Sequence, residues 1–157
     1  MTRIHKSTLI GAPIAEVYLK ARDPAGWPTW FAGLTGPDSL KGDGEVGTKG
    51  DYTLALAGVN FPVSVEVVED QHGPEGASWR GLIGGPLAGK HHWTYRPHGD
   101  QTEVTVDMEY TVPGAALGRL ADKLIVERMM ERNVQQSIEN LKLICEHRAE
   151  RGGVHEA

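Results

Sequence analysis

The sequence predicts an α+β fold, a strongly curved antiparallel sheet covered by one long C-terminal helix. Three observations lead there. Apolar residues alternate with polar ones at a period of two from about Leu40 to Tyr110, the spacing of strands with one buried face. These runs are separated by GVN, QHGPEG, GGPLAG and PHGDQ, each made of residues that turn a chain. From Leu117 to His147 there is no glycine or proline after Gly118, and such a run is most simply a single helix.

The elements follow in order. A strand is expected around Arg3–Ile10. Pro13 then stands where a first helical residue belongs, with Ile14, Val17, Tyr18 and Ala21 at helical spacing behind it. Asp23-Pro24 reads as an N-cap and a helix-starting proline, opening a second short helix that carries Trp27, Trp30 and Phe31. Tyr52, Leu54 and Leu56 alternate in one strand, and Phe61, Val63, Val65 and Val67 in the next. Trp79, Gly81 and Ile83 mark a third strand, and His91, Trp93 and Tyr95 a fourth. Val104, Val106, Met108 and Tyr110 mark a fifth. Short connections between consecutive strands make antiparallel neighbours, hence a meander.

The chain leaves the sheet at Pro113-Gly114. In the long helix Leu117, Leu120 and Leu124, then Val134, Ile138, Leu141 and Cys145, keep steps of three and four with one gap between the two groups. Residues 150–157 are expected to fray. A sheet with one apolar face needs a cover, and this helix is the only element large enough. Residues 1–157 are therefore expected to form one domain.

Composition narrows the function classes. The 157 residues carry a net charge of −5, with 24% charged and 39% hydrophobic residues, the balance of a soluble globular chain. The basic residues form no dense block, which argues against a nucleic-acid partner. No stretch approaches the ~18 apolar residues of a membrane span, so no stable membrane insertion is expected. MTRIHKSTLIGAP holds only a short apolar patch, unlike a signal-peptide core. A single cysteine, Cys145, excludes an intrachain disulfide framework and suits a reducing compartment. The expectation is a cytoplasmic, bacterial protein whose oligomeric state the sequence leaves open.

KGDGEVGT at 41–48 has the glycines of a phosphate cradle but neither the lysine-serine/threonine ending nor a following helix. It reads as a strand connection. GKHHWTY at 89–95 offers two adjacent histidines, but neighbouring side chains of a strand point to opposite faces. His91 shares the inward face with Trp93 and Tyr95, while His92 faces outward with Lys90, Thr94 and Arg96; only a bulge at Gly89-Lys90 would exchange them. The two cannot hold one metal, and no HExxH or CxxC spacing exists. No metal and no cofactor are expected.

The inward face mixes Leu54, Phe61, Val63 and Met108 with Tyr52, Trp79, His91, Trp93, Tyr95 and Tyr110. Buried phenols and an imidazole need hydrogen-bond partners, and a ligand cavity with apolar walls and a few polar groups supplies them. His91 is the candidate for proton transfer, and Tyr52 or Tyr110 for polarising a carbonyl. On the terminal helix Leu124, Glu127, Arg128 and Glu131 fall near the apolar stripe. They form either an exposed segment with a Glu131–Arg128 pair or the charged rim of a cavity mouth, with Met129 and Met130 as its adaptable apolar part. Glu66 and Arg80 are expected to pair across strands. Cys145 reads as core.

Four segments in order, APIAEVYLKARDPAGWPTW, KGDGEVGTKG, WTYRP and RNVQQSIENLKLICE, resemble the START-like, or SRPBCC, helix-grip superfamily over nearly the whole chain. Within it the sequence is most similar to bacterial polyketide cyclase/dehydrase and lipid-transport proteins. The resemblance implies a sheet curled around the terminal helix over an internal apolar cavity. It also implies that Trp27, Trp30 and Phe31 wedge between sheet and helix and line one end of the pocket. Fold leaves function open. The leading expectation is a binding or transport protein for a small hydrophobic or aromatic metabolite. The alternatives are a polyketide cyclase/aromatase-like enzyme using cavity histidine and tyrosine, and a protein-interaction module.

Overall fold

In a computed structural model, which describes residues 2–56, 58–111 and 123–156 with side chains to 148, seven strands and two α-helices are present among the described residues. The chain begins with β1 (Thr2–Ile10) and α1 (Ile14–Arg22). A single 3-10 turn, Trp27–Thr29, stands where the second helix was expected. Asp23 Oδ1 accepts a hydrogen bond from the Ala25 N–H (3.2 Å), two residues on, which closes a turn instead of capping a helix.

Six strands form the meander: β2 (Leu34–Lys41), β3 (Lys49–Leu56), β4 (Val59–Gly73), β5 (Gly76–Gly84), β6 (Gly89–His98) and β7 (Gln101–Tyr110). The antiparallel sheet runs β1-β7-β6-β5-β4-β3-β2, so the first strand returns beside the last. β2 is absent from the sequence reading because LTGPDSLK shows no period of two. It is an edge strand, paired only with β3, and its register breaks between Thr35 and Ser39.

A bulge in β4 between Val67 and Glu69 has wider effects. Val63, Val65 and Val67 are buried and Val68 is exposed. The extra residue sets Arg80 opposite Glu69, so Arg80 pairs with Glu69 (3.3 Å) and Glu66 with Lys49 (3.6 Å), not with each other as expected. The bulge also turns Asp70 to the covered face beneath α1. There Arg22 donates to both carboxylate oxygens (2.8 and 3.4 Å) and the Tyr18 hydroxyl to Oδ1 (2.5 Å). Asp70 is thereby held below the ordinary carboxylate range: burial opposes this, but the hydrogen bonds from Arg22 and Tyr18 outweigh it.

The long helix α2 (Lys123–Glu156) lies against β1, α1 and β3. Pro113-Gly114, Leu117 and Leu120 lie outside the described residues. The helix is assigned through Glu156, including most of the stretch expected to fray. Its buried stripe is Val126, Met130, Val134, Ile138, Leu141 and Cys145, steps of three and four without a gap. Leu124 is 52% exposed, because at about 100° per residue it stands on the side of the helix opposite Val126. The charged side chains near the stripe tie α2 to β1: Lys6 pairs with Glu131 (2.8 Å) and Thr2 donates to Glu127 (3.1 Å). Glu131 therefore pairs with Lys6 and not with Arg128, the first of the two alternatives, and Arg128 is exposed. Among the described residues no helix is long and apolar enough to cross a membrane.

KGDGEVGT forms the β2–β3 connection. Thr48 Oγ1 accepts from the Gly44 N–H (3.0 Å), and Gly44 has φ of 114° with Arg22 so near that a Cβ would stand 2.6 Å from its carbonyl. Only glycine suits that position.

Candidate functional site

A cavity of about 80 Å³ lies between the concave face of the sheet and α2. The turn after α1 gives it Trp27, Trp30 and Phe31; β3 and β4 give Leu54, Val63 and Val65. The strands β5 to β7 contribute Trp79, Ile83, His91, Trp93, Tyr95, Met108 and Tyr110, and α2 contributes Met130. Leu34 and Leu87 complete the wall beside Ala21. Sequence reading missed Leu34, because its strand was not recognised, and Leu87, the one large apolar residue of the turn GGPLAG. That lone leucine was the available signal.

The rings form one continuous ribbon. Tyr52 packs on Trp27 (centroids 5.7 Å), Trp27 on Trp79 (5.5 Å) and Trp79 on His91 (4.8 Å). His91 then meets Trp93 (6.4 Å), Trp93 meets Trp30 (5.5 Å) and Trp30 meets Phe31 (5.9 Å). From Trp27–Trp79 onward the contacts are edge-to-face, the arrangement ring quadrupoles favour. All four tryptophans of the protein stand in this ribbon.

Strand alternation divides the histidines as the sequence predicts. The register of β6 with β5 and β7 is unbroken, so no bulge intervenes at Gly89-Lys90. His91 lines the cavity, and its Nδ1 accepts the Trp93 indole N–H (2.9 Å). Its Nε2 is buried without a partner, and burial pushes the imidazole down to about 4. Gly81, opposite His91 in the register, makes room for this ring: a Cβ there would stand 2.8 Å from Nε2 and 2.5 Å from the Trp79 ring. His92 faces outward, 2.9 Å from Ser78 Oγ, which itself donates to Glu69 (2.5 Å). With the Ser78 proton on Glu69, His92 Nε2 must donate to Ser78, the reverse of the order that activates a nucleophilic serine.

The other candidates separate. Tyr110 lines the cavity with its hydroxyl buried; burial and the charge of Glu127 push it up to about 12, against a hydrogen bond with Thr2. Tyr52 is buried behind Trp27, with its hydroxyl donated to the Pro24 carbonyl (2.7 Å). That bond anchors the turn and leaves no proton for polarising a ligand. Phe61 packs in the core away from the cavity wall, Glu127 faces β1, and Leu124 and Arg128 face outward. Cys145 is buried with its thiol pushed up to about 11 by burial. Among the described residues no three His, Cys, Asp or Glu side chains converge to hold a metal ion.

A polar row on α2 was also missed. The Asn133 and Asn140 side-chain amides donate to the Ala32 and Trp30 carbonyls (3.2 and 3.1 Å), and Ser137 Oγ accepts from the Ala32 N–H (2.9 Å). The signal was the spacing i, i+4, i+7 one position before Val134, Ile138 and Leu141. This row latches the Trp30–Ala32 backbone to the helix.

A family model described as polyketide cyclase / dehydrase and lipid transport matches residues 1–146. Comparison with curated proteins finds no match. Among solved structures the chain is similar to TTHA0849 from Thermus thermophilus, at 22% identity and TM-score 0.69 over 90% of this chain and 94% of that one. It is similar to the Zhui aromatase/cyclase from Streptomyces sp. R1128 at 15% identity and TM-score 0.68, covering 94% and 95%. A START superfamily protein from Mycobacterium smegmatis aligns at 16% identity and TM-score 0.62, covering 95% and 97%. These likenesses carry the helix-grip fold.

Proposed function

The chain belongs to the polyketide cyclase/dehydrase and lipid transport family, and on that premise we propose that it binds a small apolar or aromatic molecule between sheet and helix. The observation that supports this most is the aromatic ribbon around a cavity with an almost wholly apolar lining, the usual wall of a site for a small apolar molecule.

The volume limits the occupant. About 80 Å³ is roughly half the ~150 Å³ of an engineered cavity that admits benzene. Even one ring requires the lining to yield, and the residues suited to this are Met108 and Met130, with their flexible thioethers, and the half-buried Phe31, Leu34 and Ile83. Binding is favoured over catalysis because the two candidate groups are already engaged: His91 Nδ1 accepts from Trp93 and the Tyr52 hydroxyl is donated to Pro24.

Because every tryptophan stands in the ribbon, intrinsic fluorescence reports directly on the cavity. Native protein should retain small apolar compounds detectable by mass spectrometry of an organic extract. Added aromatic compounds should shift the tryptophan emission, and Val65→Phe, which fills the cavity, should abolish the shift while leaving circular dichroism unchanged. An extract without such compounds, together with unaltered emission at millimolar aromatic probe, refutes the reading.

A further inference from the structure

The outer face of the sheet carries a groove of about 410 Å³, separated from the aromatic cavity by the strands themselves. Its walls are two cross-strand rows. Arg3, Glu109 and Lys90 stand side by side on β1, β7 and β6. Two residues along the same strands stand His5, Asp107 and His92, with Arg80 next to them on β5. Ile4, Met108 and His91 lie between the rows as the floor, because their side chains alternate to the other face.

The fixed charges around the groove cancel. Glu109 is paired with Arg3 (3.1 Å) and Lys90 (3.6 Å), Arg80 with Glu69 of β4 (3.3 Å), and Asp107 with His5 (2.5 Å). While both imidazoles are neutral, three cations thus face three carboxylates. The hydrogen bonds fix where the imidazole protons sit. A carboxylate only accepts, so His5 Nδ1 donates to Asp107 and Nε2 keeps its lone pair. His92 Nε2 donates to Ser78, whose own proton goes to Glu69, and Nδ1 keeps its lone pair. One further proton on each ring turns two acceptors into donors and adds two positive charges. Both arginines meet their carboxylates through Nε. The paired terminal nitrogens of each guanidinium, the fork that suits an oxyanion, are therefore not spent on these contacts.

We infer that this groove is an acid-gated site for a sulfate- or phosphate-type oxyanion, held between Arg3 and Lys90 on one wall and His5, His92 and Arg80 on the other. At neutral pH the balanced charges give such an anion no net attraction. Protonated imidazoles make the groove cationic on a chain whose net charge is −5. Burial and then Arg80 hold His92 below the ordinary imidazole range, with Glu69 and Asp107 opposing them. A bound oxyanion places a further negative charge beside the ring and draws its proton uptake back toward neutral pH. The interior cavity takes no part, so this site and the binding proposed above stand or fall separately.

The test is a titration of the full chain with sodium sulfate at pH 5.0 and 7.5, at fixed ionic strength, followed by nitrogen-15 NMR of the backbone amides. Sulfate keeps its two charges at both values, so any difference belongs to the protein. Two added exposed ion pairs correspond to roughly tenfold in affinity. Sulfate should therefore bind about tenfold more tightly at pH 5.0, with shifts centred on His5, Arg80, Lys90, His92 and Asp107. His5→Gln combined with His92→Gln should bind it equally at the two values. Methyl sulfate and glucose 6-sulfate, of equal and constant charge, separate the sources. Tighter binding of the sugar ester assigns the site to an oxyanion carried on a larger molecule, and equal binding to the free ion. Absence of sulfate binding at pH 5.0, or shifts confined to other residues, overturns the site. Equal affinity of the unsubstituted protein at the two values overturns the gating, whether or not the double variant folds.

Discussion

Acid should weaken this protein through one imidazole before it reaches the carboxylates. His91 lies at about 4 in the folded state against an ordinary 6.5, and burial is the cause. Between these values the unfolded chain binds a proton that the folded chain refuses. The contribution is complete above the ordinary value, declines as pH falls from 6.5 to about 4, and is fully lost below. At ~1.4 kcal/mol per pH unit the interval amounts to about 3 kcal/mol, of which about 2 kcal/mol is gone by pH 5. For a domain with a net stability of about 5–15 kcal/mol this is a large share. The carboxylates held below their ordinary range by partners, Asp70 and Glu146, lose their contribution only at lower pH. Urea unfolding should be measured at pH 7.5, 6.5, 5.5 and 5.0 for the protein and for His91→Gln, whose amide still accepts from Trp93 but does not titrate. The stability advantage of the unsubstituted protein should shrink by about 2 kcal/mol from pH 7.5 to 5. Parallel pH curves for the two proteins would refute the reasoning.

Asp70→Asn removes the charge facing Arg22, and since both side chains keep some solvent contact (8% and 20%) the loss should be about 2 kcal/mol in urea unfolding. Gly81→Ala drives a Cβ into Trp79 and His91 and should cost about 1–3 kcal/mol, with altered tryptophan emission at neutral pH. Ser137→Ala leaves the part-buried Ala32 N–H unpartnered; a loss of about 1 kcal/mol is expected, again with a change in Trp30 emission.

What the sequence made legible is what periodicity encodes. Alternation separated His91 from His92, and it gathered Trp79, Trp93, Tyr95 and Tyr110 on one face, because side-chain direction in a strand is fixed by counting. Counting fails where a residue is inserted. The bulge at Val68 reversed the phase of β4, which moved Asp70 under α1 and gave Arg80 a different carboxylate. It failed again in the helix, where Leu124 suggested a phase that the buried Val126 and Met130 contradict. The hydrophobicity of one leucine does not reveal its position. Tyr52 illustrates a third limit: its partner is a backbone carbonyl 28 residues earlier, and no residue type announces that a main-chain oxygen will be waiting.

The latch between α2 and the Trp30–Ala32 segment grips only main-chain atoms on the segment's side. The attachment is therefore indifferent to which side chains the segment carries. Phe31 and the neighbouring Leu34 are only partly buried, and none of the three bonds involves their side chains. Under the binding proposed above, positions 31 and 34 are where the cavity wall can be varied with these three bonds kept. A library varied at positions 31 and 34, with Asn133, Ser137 and Asn140 untouched, is the natural route to a version of this protein that accepts a different guest.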